Sequence, residues 1–232
     1  MVLNEGKCSA ITSIFSMKNI VPQNLQLNGN TLNSATSINL LGVIITANLR
    51  WKENTAHICK KVNKKFYILR EIGKGERKTE LLLKAWKVLQ RPITEYASPL
   101  WHSGLSKSDI NKLESLQKKA IGMILGTVYL DHKRYYKVKG HPVSYETALN
   151  HLDLLTLTER RDVLTTKFAI QTFRNERHKD FFELKTNFRH CTRSKPTIQE
   201  HTCNTKRLKN SSIPVMSSII NKMKLEIPNN PT

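Results

Sequence analysis

The spacing of hydrophobic and polar positions changes near residue 50. Before that point β-branched side chains are frequent, and residues 8–16 and 37–45 each predict a strand. Between these segments lies Asn28-Gly29, a dipeptide that readily adopts the positive φ angles of a two-residue hairpin turn. The pattern predicts a small β unit over residues 1–50, and so few strands need another layer to pack on.

After that point the apolar positions recur at helical spacing, and three helices are predicted. The first can end at Gly73, and the second can begin with Thr79 as its cap. Arg91-Pro92 interrupts the second, and the third runs from Ser108 to Gly126. Their apolar stripes are Ile58, Val62, Phe66 and Leu69; Leu82, Ala85, Trp86 and Leu89; and Ile110, Leu113, Leu116, Ala120, Ile121 and Ile124.

The pattern is less regular in the last hundred residues. A basic, tyrosine-bearing connection over residues 133–137 leads to a short helix opened by Ser144. A longer helix is predicted from Thr158 to about Arg174. Beyond Glu183 prolines and scattered basic residues predict long loops.

These elements predict an α+β fold that is mainly α. We expect a β unit in residues 1–50 and a helical bundle in residues 51–130. A further helical region in residues 131–185 precedes a basic, loop-rich tail in residues 186–232.

Composition adds a strong positive charge. The chain has 38 Lys and Arg against 18 Asp and Glu, which gives a net charge of +20. Nucleic acid is therefore the leading partner, although ribosomal and membrane-surface proteins can be equally basic. The four cysteines form no C-x-x-C pair and predict free thiols in a reducing compartment. Neither a secretion signal nor an apolar run of membrane-spanning length occurs, so we expect an intracellular protein, nuclear or cytoplasmic, without a transmembrane segment.

Several short motifs occur in an order that resembles non-LTR retrotransposon reverse transcriptases, most closely the jockey-like group. They are Leu3-Asn4-x-x-Lys7-Cys8, Leu41-Gly42-Val43, Leu49-x-Trp51, His57-Ile58, Arg91-Pro92-x-x-x-Tyr96-Ala97 with Trp101, Leu113-Glu114-x-x-Gln117-Lys118-x-Ala120 and Arg160-Arg161. The resemblance covers most of the chain. It implies the end of a palm in residues 1–50, a thumb in residues 51–130 and the family's later helical region after that.

The resemblance also implies that the palm segment begins after the hairpin that holds the catalytic aspartates. Polymerisation needs two metal ions held by closely placed carboxylates. The aspartates of this chain are Asp109, Asp131, Asp153, Asp162 and Asp180, and no two are adjacent. We therefore expect a truncated fragment of an RNA-directed DNA polymerase that is inactive alone, without catalytic or metal-binding residues. Mg²⁺ would serve only a full-length polymerase. Lys7 matches a family lysine thought to act near the incoming nucleotide, but without a metal site beside it we do not assign it a catalytic role.

Two groups of residues are candidates for nucleic-acid binding. Lys60, Lys61, Lys64 and Lys65 fall on one arc of the first helix, and the resemblance implies that a thumb helix lies close to the primer–template hybrid. Lys133, Arg134 and Tyr135 combine charge with an aromatic ring, a mixture suited to RNA or another single strand. The alternatives are a solvated lysine face and an ordinary exposed loop. The three tryptophans are predicted to belong to the core.

Other interpretations remain open at this stage. His190-Cys191 and His201-x-Cys203 provide zinc-ligand types, but their spacing is unlike that of common zinc fingers, and we predict no metal site. The chain can instead be a retrotransposon-derived protein-interaction module, with a partner on the apolar face of residues 8–45. A third possibility is an active polymerase reconstituted with a separate segment that supplies the missing palm and fingers.

Overall fold

A computed structural model of the chain describes residues 8–12, 25–75, 78–182, 198–200 and 202–223. Four short strands come first: β1 Ser9–Ala10, β2 Gln26–Leu27, β3 Asn30–Thr31 and β4 Asn33–Ser34. β1 pairs with β4 in parallel, and β2 pairs with β3 in an antiparallel hairpin. The turn residues Asn28 and Gly29 both have positive φ, which confirms the predicted hairpin. The part of the predicted first strand beyond residue 12 lies outside the described residues.

The prediction of a single strand over residues 37–45 is wrong. This segment is a second hairpin of β5 Ser37–Leu40 and β6 Val43–Thr46. Leu41 and Gly42 adopt φ angles of 49° and 86°, so the chain reverses within the apolar run. Because the first turn residue is a leucine, the hydrophobic pattern continues through the turn and does not indicate it.

The predicted helical bundle follows. It contains α1 Lys52–Lys74, α2 Thr79–Ala85, a π-helical turn at Trp86–Gln90, α3 Arg91–Glu95, α4 Ser98–Trp101, a 3₁₀ turn at His102–Gly104 and α5 Lys107–Leu125. The predicted stripe of α1 is buried, and so are Leu113, Leu116, Ala120, Ile121 and Ile124 of α5. α1 packs along α5, which places both stripes in one core.

Several predicted helix ends need correction. Thr79 does not cap α2, because the residue before the helix is Lys78 and no side chain caps that end. Pro92 lies in the first turn of α3, where proline is tolerated because no backbone N–H partner is needed. The last long helix is capped by Thr156, with Glu159 completing a capping box, so its predicted start at Thr158 was two residues late.

The connection predicted over residues 133–137 is instead part of a three-stranded antiparallel sheet. Its strands are β7 Thr127–Leu130, β8 Lys133–Val138 and β9 His141–Val143. Tyr136 of β8 is buried, while most of its basic neighbours are exposed. The alternation typical of a half-buried strand was present, but the density of basic residues obscured it.

The remaining elements are helical. They are α6 Tyr145–His151, capped by Ser144 as predicted, α7 Leu157–Arg174, a 3₁₀ segment at Glu176–Phe181, α8 Lys206–Lys209 and α9 Ser212–Met223. α9 lies in the tail predicted to be loops. Its Pro214 occupies the first turn, where proline does not break a helix. Met216 and Ile220 of α9 pack with Ala169 and Phe173 of α7 in a second, smaller core.

The main core extends from Val43 of β6 to Leu154 after α6, so residues on both sides of position 50 and of position 130 contribute to it. The fold is α+β and mainly helical, as predicted. Within the described ranges, every helix is too short or too polar to cross a membrane.

Candidate nucleic-acid interface

The four lysines of the predicted arc lie on one side of α1. Lys60, Lys61, Lys64 and Lys65 are all exposed, while the buried residues of α1 include Ile58, Val62, Phe66 and Leu69. We call these four residues the lysine face. One side of the helix packs in the core and another side carries the lysines, so packing does not require the lysines to be buried.

α1 is held firmly beneath the lysine face. The side-chain Nε2 of Gln90 donates to the backbone oxygen of Lys65 at 2.8 Å. Phe66 stacks on Trp86 with ring centroids 6.3 Å apart. From the other side, the Nζ of Lys119 lies 4.6 Å from the centroid of the Phe66 ring. A rigid helix presents its charges at fixed spacing, which suits a rigid, charged polymer.

The lysine face keeps its charge unbalanced. None of its four ammonium groups forms an ion pair with a carboxylate of the described residues. The pKa of the neighbouring His57 is lowered, first by burial and then by the positive charges of Lys61 and Lys60. Uncompensated positive charge of this kind attracts anions.

The second predicted group is divided between the two faces of the β7–β9 sheet. Lys133 pairs with Leu130, and Tyr135 pairs with Val128, so their side chains share one face. Arg134 pairs with Tyr129 on the opposite face and lies 5.8 Å from the centroid of that ring. The sequence neighbours Lys133 and Arg134 therefore project from opposite faces of the sheet.

Two residues of the Leu113-Glu114-x-x-Gln117 motif fasten the connection between α6 and α7. Glu114 accepts hydrogen bonds from the Tyr145 hydroxyl at 2.5 Å and from the backbone N–H of Leu157 at 3.0 Å. Burial and the Glu114 carboxylate raise the pKa of Tyr145, which keeps the hydroxyl protonated as the donor. Gln117 donates to the backbone oxygen of Leu155 at 2.8 Å. The motif thus acts as a structural clamp.

A polar cluster that the sequence did not reveal joins α4, the adjoining 3₁₀ turn and α7. The Nε of Arg161 donates to Nδ1 of His102 at 3.1 Å, and Nε2 of His102 bonds to Asp162 at 3.0 Å. The guanidinium also lies 5.6 Å from the centroid of the Trp101 ring. Because Nδ1 accepts, His102 is neutral with its proton on Nε2. Its pKa is lowered by burial and by Arg161, against the opposing effect of Asp162.

A partly buried ion pair network joins α3 to α7. Glu95 lies 3.1 Å from the Nε of Arg91 and 3.1 Å from the Nε of Arg160. It therefore joins the Arg91-Pro92 motif to the Arg160-Arg161 pair, which are far apart in sequence. No periodicity within either segment predicts this contact, because it depends on how α3 and α7 pack.

The tryptophans serve packing. Trp86 and Trp101 are fully buried, which confirms their assignment to the core. Trp51 is partly buried, and its ring lies so close to Gly104 that an added Cβ there would come within 2.6 Å of Nε1. A larger residue at 104 would displace the indole, so the close approach explains why glycine suits this position.

The His and Cys residues of the tail lie almost entirely outside the described residues. His190, Cys191 and His201 are not among the described residues, while Cys203 is a free, partly buried thiol. Cys8 and Cys59 are partly buried and are not joined in a disulfide within the described residues. In the described ranges, no three side chains of His, Cys, Asp or Glu come together in a metal-binding group.

Comparison with models of protein families, with curated proteins and with solved structures found no match to this chain. The residues and their geometry must therefore carry any functional argument.

Proposed function

We propose that this chain is a fragment of an RNA-directed DNA polymerase from a non-LTR retrotransposon, which does not polymerise by itself and retains binding to a primer–template duplex. The motif order supports the family. The observation that supports binding is the lysine face, which is exposed, unpaired with described carboxylates and mounted on the longest helix.

The dimensions of the lysine face suit a duplex backbone. Five residues separate Lys60 from Lys65, which corresponds to about 7.5 Å of helical rise. A B-form duplex presents one negative charge per ~1.7 Å of its axis, so about four phosphate charges lie within that length. Four ammonium groups can therefore neutralise a comparable number of phosphates, with little preference for sequence because the contacts are to the backbone.

The proposal that the chain is inactive alone rests on its carboxylates. A two-metal site needs closely placed acidic ligands. The carboxylate of Asp109 accepts from the hydroxyl of Ser106, which is the N-cap of α5, and Asp162 bonds to His102, so both carboxylates already have structural partners. Asp131 and Asp153 occupy turns with positive φ. None of these positions resembles a paired-carboxylate centre.

The test compares two variants that remove the same charge. Changing the lysine face to alanine (K60A, K61A, K64A and K65A) should reduce the log–log salt slope of RNA–DNA hybrid binding by up to ~3–4, since each duplex contact contributes roughly 0.9. The matched control changes Lys84, Lys107, Lys167 and Lys222, which are exposed on four other helices. Its slope should stay near that of the wild type, and fluorescence anisotropy across a salt series measures both.

Equal losses in the two variants would mean that net charge alone governs binding and that the lysine face has no special role. A wild-type chain that does not bind hybrid at all would favour the second candidate, a protein-interaction module. The specific observation behind that candidate is the tip of the second hairpin, where Leu41 is 83% exposed and Leu40 is 54% exposed. Two adjacent exposed leucines at a hairpin tip offer apolar surface that a protein partner can cover.

A further inference from the structure

A crevice of about 270 Å³ lies between the second hairpin and the first turns of α1, and its remaining walls are formed by α3 and by Trp101 of α4. Its lining is mostly apolar and includes Val43, Ile58, Ile93 and Trp101. This volume is close to the lower end of the range for small-molecule sites, and an apolar wall with a few polar groups is their usual composition.

The walls of the crevice are fixed by hydrogen bonds between separate elements. The Tyr96 hydroxyl donates to the backbone oxygen of Leu41 at 2.8 Å, which ties the end of α3 to the hairpin. The indole Nε1 of Trp101 donates to the backbone oxygen of Tyr96 at 3.0 Å. Across the crevice, the backbone N–H of Ile44 donates to Oδ1 of Asn54 at 3.1 Å. A preformed site loses little freedom when a ligand enters.

Two polar atoms of the lining are buried without a hydrogen-bond partner among the described residues. Asn54 is 1% exposed, and because its Oδ1 accepts from Ile44, its Nδ2 is the group left unpaired. Nε2 of His57, one turn further along α1, is also buried and unpaired. Buried polar groups are nearly always satisfied in proteins, so two unpaired groups in one cavity call for a partner.

The charge of the lining points to the kind of partner. Lys61 lies at the crevice, and none of the described residues that line it carries a carboxylate. The amide nitrogen of Asn54 can only donate, and Lys61 can only donate, so the ligand must supply acceptor oxygens. The apolar walls require a body that gains by leaving water.

We propose that this crevice binds a small ligand made of a planar apolar ring and an anionic group, with the anion bonded to Asn54, His57 and Lys61 and the ring placed between Val43, Ile93 and Trp101. Two sources share this chemistry: a free aromatic acid, and a nucleotide of a bound strand. The inference goes beyond duplex binding by the lysine face, because only Lys61 belongs to both sites.

The test titrates the full chain with three probes and follows amide and side-chain signals by ¹H–¹⁵N NMR. Indole-3-acetate should shift the signals of Asn54, His57 and the Trp101 indole, with a Kd of about 1 mM or tighter for a ligand of this size. Indole-3-acetamide, the neutral counterpart, should bind about tenfold more weakly, because hydrogen bonds to a charged group are stronger than those to a neutral one. Uridine 5′-monophosphate tests the nucleotide source.

Matched variants separate the crevice from the lysine face. K61A should weaken indole-3-acetate by up to ~fivefold, whereas K64A, which removes the same charge one turn away, should leave its Kd unchanged within about twofold. H57F keeps a ring of similar size and removes Nε2, so it should also weaken binding. I93W should fill the crevice and abolish binding, and H57F and K61A keep the test decisive if that variant does not fold.

The outcomes distinguish this inference from the proposed function. If indole-3-acetate binds as described while hybrid binding is absent, the crevice is a ligand site and the duplex proposal fails. If uridine 5′-monophosphate shifts the same signals with a lower Kd than indole-3-acetate, the ligand is a nucleotide. If no probe shifts the signals of Asn54 and His57, or if K61A and K64A behave alike, the crevice is not a site for planar anions.

Discussion

Arg161 and the lysine face are opposite uses of positive charge in one chain. Arg161 is fully buried, and the lysines of α1 are exposed. Water and counterions surround the exposed ammonium groups, so they are available to an outside partner. The buried guanidinium is enclosed by His102 and Trp101 and can act only on the fold. A net charge of +20 therefore does not assign a role to any single cation.

The surroundings of Arg161 show what a buried cation requires. Burial lowers its pKa to about 10, while Glu114, Asp162 and Glu95 oppose that decrease. The group therefore stays charged at neutral pH. The three carboxylates lie on α3, α5 and α7, and all of them attract the Arg161 guanidinium. This one side chain therefore links three helices electrostatically.

The largest effect should come from removing this cation. We expect R161A to lower the free energy of unfolding by about 3–5 kcal/mol, because it leaves a cavity, removes the partner of His102 Nδ1 and leaves carboxylates without their counter-charge. Urea denaturation followed by circular dichroism measures the change. A loss under ~1 kcal/mol would mean that Arg161 is not a structural cation and would break the contrast with the lysine face.

Two further variants control that experiment. R161M fills most of the volume without a charge and should cost less than R161A, since it leaves a smaller cavity. It also keeps the comparison measurable if the alanine variant unfolds. R160A removes the neighbouring arginine, whose bond to Glu95 lies partly in solvent. Its cost should not exceed ~1 kcal/mol, which is the usual range for surface pairs.

A smaller effect should appear as a dependence of stability on pH. The pKa of His102 is lowered in the folded protein, chiefly by burial and by Arg161 of α7, while Asp162 acts in the opposite direction. As pH falls below the unfolded value near 6.5, the unfolded chain therefore takes up the proton first. Stability should be fully present above that pH and should be lost as pH falls towards the folded pKa.

The measurement is urea unfolding between pH 8 and pH 5 for the wild type and H102N. Asparagine can still accept from Arg161 through its side-chain oxygen but does not titrate, so H102N should lose less stability over this range. Some loss should remain, because the pKa of His57 is lowered in the same direction. If H102N loses as much stability as the wild type, His102 is not the group responsible.

The exposed half of this contrast could be predicted from sequence. Helical periodicity separated the stripe of Ile58 and Val62 from the lysine face, because both lie within one element and their angular positions follow from 3.6 residues per turn. The same logic predicted α5 and the burial of Trp86. Local turn chemistry predicted the Asn28-Gly29 hairpin but missed the turn at Leu41-Gly42, whose first residue is apolar.

The buried half could not be predicted in this way. His102 and Arg161 are 59 residues apart, and their bond depends on how α4 and α7 pack. In Arg160-Arg161 the first arginine is partly exposed and the second is fully buried, and two identical neighbouring residues do not indicate which one is buried. The crevice likewise combines Asn54 and His57 of α1 with Ile93 of α3. The helix α9 was missed because Pro214 and the other prolines of the tail suggested loops.

The smallest effect should come from the lysine face itself, and its sign should be opposite to that of R161A. Within α1, Lys60 and Lys64 are four residues apart, Lys61 and Lys65 are four apart, and Lys61 and Lys64 are three apart. Each like-charge pair at these spacings destabilises a helix by about 0.2–0.5 kcal/mol. Alanine is also the best helix former. The quadruple alanine variant should therefore gain about 0.5–1.5 kcal/mol in free energy of unfolding at low salt.

The gain should shrink as salt is added, since a Debye length of ~10 Å at 0.1 M already screens exposed charges. Urea unfolding in 20 mM and 500 mM NaCl measures this difference, and the control variant that lacks Lys84, Lys107, Lys167 and Lys222 should show a smaller gain because its lysines lie on separate helices. A loss of more than ~1 kcal/mol in the quadruple variant would mean that the lysine stems pack on apolar surface. The lysine face would then contribute to the fold as Arg161 does, and weaker hybrid binding by that variant would no longer identify a surface kept for phosphates.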